Sequence, residues 1–186
     1  MNMFLRKTFR TWSWKSFFKN EVKGSMAVES ALLLPIFALI FVGSTTLFQV
    51  QRVDSSYIHA ATTLGDLITR QVEVTDDSAE NFYATAQALV ASGDDLKVTM
   101  TSVSYNATDE EYFVNWSSSN IDGEEHENDD IERFSFPAME ETESVMLVVV
   151  EGSVDPLFSG LFDGQVQIVK HSIRRPRLVR LVDRKV

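Results

Sequence analysis

The sequence contains no cysteine, and this limits both its chemistry and its means of stabilisation. Disulfide bonds and a lipid-modified cysteine are excluded, so a domain outside the cytoplasm would be held together by its apolar core alone. The three histidines, His59, His126 and His171, lie far apart in the chain and share no metal-ligand spacing. We therefore predict no metal site and no cofactor.

The signatures of common catalytic sites are also missing. The chain has neither a Gly-x-Ser-x-Gly nor a His-Glu-x-x-His pattern, and no glycine-rich loop suited to a phosphate. The acid pairs Asp94-Asp95 and Asp129-Asp130 lie in polar stretches, which is not the setting of paired catalytic carboxyl groups. We predict that the protein is not an enzyme.

The net charge of −10 is divided among three blocks of the chain. Residues 1–24 carry +5, residues 25–169 carry −21, and residues 170–186 carry +6. Such segregation indicates membrane topology and separate interaction surfaces. Because the acidic block would repel phosphates, we predict no binding to nucleic acid.

A mostly apolar run begins at Ser25 and continues through Phe48. About 20 such residues are enough to cross a bilayer. The basic residues before the run place the N-terminus in the cytoplasm and everything after about Phe48 outside. We predict three parts: a basic leader at 1–24, a transmembrane helix at 25–50, and an external head with its stalk at 51–186.

Two residues stand out inside the apolar run. Glu29 is its single ionisable residue, and a carboxylate near the start of a membrane segment costs a few kcal/mol, which implies a partner. Pro35 cannot donate a hydrogen bond to the carbonyl group of Ala31, so a helix kink is expected there.

The stretch from Gly24 to Pro35 resembles a known processing motif. Gly24 is followed by the small residue Ser25, with Glu29 at the fifth position beyond it, as in type IV prepilins. The fuller string, Gly-x-x-Ala-Val-Glu-x-Ala-Leu-x-Leu-Pro, is similar to the opening of the TadE/TadF family of minor pseudopilins. Near the other end, Arg175-Pro176-Arg177 resembles the C-terminal motif of TadE-like proteins.

This resemblance implies a function in a Tad-type type IV pilus system. A prepilin peptidase would cut between Gly24 and Ser25, and Glu29 would then neutralise the N-terminus of an adjacent subunit during assembly. The protein would reside in the bacterial inner membrane as a single-pass protein with a periplasmic head, and would contribute its helix either to a pilus or to the initiating complex in the membrane. Its partners would be the peptidase, other pseudopilins and the major pilin, and its role would be pilus initiation or assembly for adhesion.

Other interpretations of the N-terminal region remain open. The run could be a cleaved secretory signal with its small-residue site at Val42-Gly43-Ser44, which would release an acidic binding domain. It could also be an uncleaved anchor for a binding protein with an acidic periplasmic head and no pilus role.

Beyond the membrane segment the helical pattern continues. We predict one long helix from about Ser25 to about Val72, with a possible bend at Gly65. Its packed stripe is predicted to contain Val50, Val53, Tyr57, Ala60, Leu64, Leu67 and Gln71. A second helix is expected after a capping box formed by Asp77 and Glu80, with Gly93 as its terminator.

The rest of the chain reads as an antiparallel sheet. Strands are predicted at 96–101 and 111–117, joined as a hairpin, with Tyr112, Val114 and Trp116 in alternation. The continuous apolar run at 144–151 indicates a central strand covered on both sides, and 165–173 is predicted to be the last strand before a basic tail. The apolar loop at 157–162 should pack against the core or the membrane face. The predicted fold class is α+β with a pilin-like head.

The stretch 120–130 is the most acidic and least apolar part of the chain. Laid on an EF-hand loop, Ser118, Asn120, Asp122, Gly123 and Asp129 fall at ligand or turn positions, but Ser and Asp replace two of the strong ligands. We predict a solvated acidic loop, from Asp122 to Asp130 in particular, in preference to a calcium site.

Overall fold

The N-terminal half of the structure is dominated by one long helix. The computed structural model describes residues 21–90, 95–141, 143–158 and 164–185, with the backbone alone for 21–25. Helix α1 runs from Glu21 to Ile68, so it begins and ends about one turn earlier than predicted. Pro35 lies inside it. The chain divides into two compact units, Met1–Ser44 and Thr45–Val186, and the division falls within α1.

Both local and long-range hydrogen bonds close the C-terminal end of α1. The N–H groups of Arg70 and Gln71 donate to carbonyl groups three residues back, which tightens the final turn. The backbone N–H of Arg177 donates to the carbonyl group of Thr69 at 2.8 Å. A carbonyl group that the helix would leave unpaired is therefore capped by the C-terminal part of the chain.

A short two-stranded sheet follows α1, and the sequence did not indicate it. Strand β1 (Glu73–Thr75) pairs in parallel with β6 (Asp183–Lys185). The segment predicted as a basic tail is therefore a strand, and 165–173 does not hold the last one. Three-residue strands carry too little periodicity to be recognised in a sequence, and their partner lies more than 100 residues away.

Helix α2 (Asp76–Leu89) is capped by Thr75, not by Asp77 as predicted. The backbone N–H of Ser78 donates to Thr75 Oγ1 at 3.3 Å, and Ser78 Oγ accepts from the backbone N–H of Thr75 at 2.8 Å. Pairing with β6 holds Thr75 extended, which is the backbone geometry of an N-cap residue. The predicted terminator Gly93 lies outside the described residues.

The second sheet is the four-stranded antiparallel sheet that the sequence predicted. Its order is β3-β2-β4-β5, with β2 at Lys97–Asn106, β3 at Glu111–Ser119, β4 at Ser144–Val154 and β5 at Val166–Arg174. The apolar strand β4 is central and is buried on both faces over most of its length, as predicted. The α+β class with a long helix, a short helix and a small antiparallel sheet is thus confirmed.

One face of this sheet, called here the helix side, packs against α1 and α2. Its buried cluster joins Tyr57, Ala60, Ala61, Leu64 and Ile68 of α1 with alternate residues of β2 and β4. Leu67 and Gln71 were predicted to lie in this stripe, but Leu67 is partly exposed and Gln71 lies beyond the helix. Ala61 and Ile68 fill that role. Because the helix turns about 100° per residue, they lie on the same face of α1 as Tyr57 and Leu64.

The opposite face, called here the cover side, packs against residues 120–141, the cover segment. Ile131 of the short helix α3 (Asn128–Ile131) and Met139 are buried against Val103, Val145, Leu147 and Val149. The acidic stretch 120–130 was predicted to be a solvated loop. All six of its acids are exposed, but residues 128–130 belong to α3, and the segment continues across the cover side of the sheet.

A bulge in β3 separates two aromatic residues that were predicted in one alternation. The register shifts between Ser102 and Val103, so that Asn115 is the extra residue in β3. Tyr112 and Val114 therefore pack on the cover side, whereas Trp116 packs on the helix side. There its Nε1–H donates to the carbonyl group of Val182 at 2.7 Å.

Candidate functional site

The residues of the predicted processing motif all lie on α1. Gly24, Ser25, Glu29 and Pro35 fall in the first unit, and Glu29 is exposed. Because α1 begins at Glu21, Glu29 lies about two turns into the helix; in a chain beginning at Ser25 it would lie about one turn from the N-terminus. The predicted kink at Pro35 stays a prediction.

The apolar residues around Glu29 are exposed rather than packed. By length and composition, the stretch Met26–Ile68 contains a window able to cross a membrane, with a mean hydropathy of 2.2. A core helix of a soluble protein can meet the same criterion, but it is mostly buried, whereas 6% of this window is buried. The large apolar residues of the first unit that are exposed are Met26, Val28, Leu32, Leu33, Leu34, Ile36, Phe37, Leu39, Ile40 and Phe41.

The Arg-Pro-Arg segment joins distant parts of the head. Arg177 forms an ion pair with Asp66 of α1, and Asp66 also binds Arg70 at 2.6 Å. Partial burial opposes the charge of Asp66, but the hydrogen bond from Arg70 and the charges of Arg177 and Arg70 outweigh it and lower the pKa of this carboxyl group. Arg175 pairs with Glu143 and donates to the carbonyl group of Ala138.

Four of the seven basic residues in 170–186 form ion pairs with acids of the head. Besides the two arginines of that segment, Lys170 pairs with Asp54 at 2.8 Å, and Arg184 pairs with Asp76 at 3.2 Å. These contacts tie β5 and β6 to the acids of α1 and α2. These four cations therefore contribute to tertiary structure.

The calcium alignment fails at its first two positions. Ser118 Oγ bonds to Tyr83 Oη at 2.8 Å. Asn120 uses its whole amide group on the backbone of β2 and the residue before it, accepting from Val98 N and donating to Leu96 O, both at 2.7 Å. Both side chains therefore form hydrogen bonds within the head. Among the described residues, no group of His, Asp or Glu is arranged to hold a metal ion.

A polar network that the sequence analysis missed lies beneath the cover segment, and His126 is at its centre. The side chain of His126 is buried, with Nδ1 at 2.9 Å from Thr101 Oγ1 and Nε2 at 3.5 Å from Arg133 Nη2. Since a guanidinium group can only donate, Nε2 accepts and Nδ1–H donates to Thr101. This arrangement fits a neutral imidazole. No spacing in the sequence indicated this, because the network joins a loop to two strands.

Burial and charge both act on this network. Burial lowers the pKa of His126, and the nearby positive charge of Arg133 lowers it further. Burial also opposes the charge on Lys97, but its ion pairs with Glu124 at 2.6 Å and Glu151 at 3.7 Å outweigh that effect and raise the pKa of Lys97. Arg133 completes the group by pairing with Glu151 at 3.6 Å.

A cleft of the head opens between the β2–β3 turn and α3. It encloses about 620 Å³ and has an aromatic floor that includes Tyr112 and Phe136, whose ring centroids are 4.9 Å apart. Its rim carries five carboxylate residues, namely Asp109, Glu110, Glu111, Asp129 and Glu132. None of these five forms an ion pair within the described part of the chain, so the cleft is suited to a cationic group.

Comparison with known proteins adds no relative from which a role could be transferred. No protein-family profile matches the chain, and neither curated proteins nor solved structures gave a significant match. The functional conclusions therefore rest on the residues of this chain.

Proposed function

We propose that this chain is a minor pseudopilin of a Tad-type type IV pilus system, anchored in the bacterial inner membrane with its head in the periplasm. It would be processed by a prepilin peptidase after Gly24 and would act with other pseudopilins and the major pilin in pilus initiation or assembly. It needs no cofactor, carries no catalytic site of its own and binds no nucleic acid.

The observation that carries this proposal is the exposed apolar surface of α1. A soluble protein rarely leaves so many consecutive large apolar side chains in water, because each would gain about 1.5–3 kcal/mol on burial. A bilayer or the bundled helices of neighbouring subunits would remove this surface from water. Glu29 lies within it, five residues after Gly24, where an assembly partner can supply a positive charge.

Processing is tested by the mass and N-terminal sequence of the protein isolated from membranes of cells that contain the peptidase. We expect a mature chain beginning at Ser25. Gly24→Leu should abolish cleavage, whereas Gly43→Leu, placed in the same helix where nothing lies within 4 Å of an added Cβ, should leave it intact. A wild-type chain that retains Met1 would contradict the processing step.

Assembly is tested separately at Glu29. Glu29→Gln should permit cleavage but reduce piliation and surface adhesion, since the neutral amide cannot compensate the N-terminal ammonium group of an adjacent subunit. Glu21→Gln, an acid of the leader that is removed, serves as the matched control. Full function of Glu29→Gln would favour the alternative: a membrane-anchored binding protein without a pilus role. The acid-rimmed cleft of the head is the observation that favours that alternative, with a cationic ligand.

A further inference from the structure

Residues 155–158, in the turn that follows β4, are bonded to α1 through the side chain of Gln49. Gln49 Nε2 donates to the carbonyl group of Asp155 at 3.2 Å, and Gln49 Oε1 accepts from the backbone N–H of Leu157 at 2.9 Å. Both ends of the amide group are thus used on two backbone groups of one turn, more than 100 residues away in sequence. The turn is thereby fixed at the level of Gln49 along the helix.

Large apolar side chains are exposed on both sides of this contact. In the turn, Leu157 is 65% exposed and Phe158 is 40% exposed. On α1, directly before Gln49, Leu47 is 56% exposed and Phe48 is 69% exposed. All of these residues belong to the unit Thr45–Val186. The sequence left open whether the apolar loop at 157–162 packs on the core or on a membrane. Residues 159–162 lie outside the described part of the chain, and Leu157 and Phe158 belong to neither buried cluster of the head.

The position of Gln49 along the helix sets the depth of the turn. A helix rises about 1.5 Å per residue, so the apolar run 26–48 is about 34 Å long, close to the hydrocarbon thickness of about 30 Å. The next residues lie in the headgroup layer, which is about 5–8 Å deep on each side. A turn hydrogen-bonded to Gln49 therefore lies at the boundary between headgroups and acyl chains.

We propose that this turn is a second membrane contact, in which Leu157 and Phe158 insert into the outer interface of the bilayer that α1 crosses. The inference rests on the membrane anchoring proposed above. Gln49 favours insertion because it bonds to a backbone N–H and a backbone carbonyl group, which would otherwise lose their hydrogen bonds to water on entering the membrane. The exposed carboxylate of Asp155 limits the depth, since it remains among the headgroups. With two attachment points, the head cannot rotate freely at the membrane surface.

The absence of cysteine allows a direct test by single-site labelling. The full chain carrying Leu157→Cys with a fluorescent label is reconstituted into phosphatidylcholine vesicles, and quenching by phosphatidylcholine brominated in its acyl chains is measured. Phe48→Cys reports the helix at the boundary, and Leu178→Cys, 66% exposed in the head, is the control matched in exposure to Leu157. We expect the labels at 48 and 157 to be quenched at least about twofold more than the label at 178.

The outcomes separate this inference from the membrane anchoring on which it rests. If the label at 48 is quenched but the label at 157 behaves like that at 178, the turn does not enter the membrane while the anchor stands. If neither 48 nor 157 is quenched, the membrane anchor itself is wrong. If the label at 157 is shielded from aqueous iodide without lipid quenching, a second protein copy covers the turn, and the lipid contact is overturned.

The role of Gln49 is tested in the same vesicles. Gln49→Ala should lower lipid quenching at 157 at least about twofold and leave quenching at 48 unchanged, because only the turn is released. Gln51→Ala removes the side chain of an exposed glutamine of the same helix and should change neither label. Unchanged quenching at 157 in Gln49→Ala would show that this side chain does not hold the turn in the membrane.

Discussion

The two faces of the four-stranded sheet are covered in different ways. On the helix side, regular helices place an apolar stripe against alternate residues of β2 and β4. On the cover side, the irregular segment 120–141 combines a few buried apolar residues with the network of His126, Thr101 and Ser117. The helix side is therefore stabilised mainly by burial, whereas the cover side also depends on a neutral histidine and satisfied hydrogen bonds.

This difference predicts that the two sides respond to different perturbations. Removing buried volume should damage the helix side, because a packed core relaxes only partially around a cavity. Changing the protonation state should damage the cover side, because the only buried imidazole among the described residues lies there. Both kinds of response can be measured on the detergent-solubilised full chain.

The largest effect is expected for Leu64→Ala on the helix side. Leu64 is fully buried, so its truncation should lower the free energy of unfolding by about 2–5 kcal/mol. Leu67→Ala, the same change three residues later at a partly exposed position, should cost well under half as much. Guanidinium unfolding measures both. Equal losses would mean that the helix side does not depend on this stripe.

The second effect tests how closely α1 approaches the sheet. A Cβ added at Gly152 of β4 would lie 2.3 Å from Tyr57 Oη, so Gly152→Ala should destabilise the head by about 1–3 kcal/mol. Combining it with Tyr57→Phe removes the colliding oxygen, and the double variant should lose less than the sum of the single losses. Additive losses would show that the two residues do not meet.

The third prediction concerns pH and separates the two sides most sharply. Since the pKa of folded His126 lies below its unfolded value near 6.5, the unfolded chain binds the proton first as pH falls. Stability should therefore decline below about pH 6.5 by up to about 1.4 kcal/mol per pH unit, until the folded pKa is passed. His126→Asn should flatten this decline.

Exchange of backbone amide hydrogens locates that effect. At pH 5 the cover segment should exchange faster than at pH 7 after correction for the intrinsic rate, because protonated Nε2 of His126 would face the positive charge of Arg133. The exchange of α2 should not become faster. Asp130, Lys97 and Glu151 also face the ring, and the two acids oppose the effect without cancelling it. His59→Asn, at an exposed histidine of α1, should leave the pH dependence unchanged. A decline that survives in His126→Asn would point to other groups.

The smallest effect is expected for the ion pair between Arg177 and Asp66. Both side chains are partly exposed, and such pairs contribute little after screening. Arg177→Gln keeps the backbone hydrogen bond to Thr69 and should lower the midpoint of thermal unfolding only slightly, with no difference from wild type in high salt. Arg52→Gln, at an exposed arginine without an ion pair in the described structure, is the control. A large fall in the midpoint would mean that the Arg177–Asp66 ion pair contributes more to stability than expected for an exposed pair.

Features that depend on long-range pairing could not be predicted from the sequence. Trp116 continues the alternation of Tyr112 and Val114, yet the bulge at Asn115 turns it to the other face. Asp77 is of a residue type that is favoured at the N-cap, but pairing of β1 with β6 gives Thr75 the extended backbone that a cap requires. His126 has no neighbour in sequence that indicates burial, because its partner Thr101 lies on β2.

The long helix with its apolar run, the β2–β3 hairpin and the central position of β4 could all be predicted from the amino-acid sequence. These features follow from periodicity and length, which act among neighbouring residues. The fold was needed to show that Thr75 caps α2 and that the basic C-terminal end forms a strand and pairs with acids of the helices. It was also needed to show that the acidic stretch contains a buried histidine. Each of these depends on groups far apart in the chain, whose pairing is settled by burial and hydrogen-bond satisfaction in the folded head.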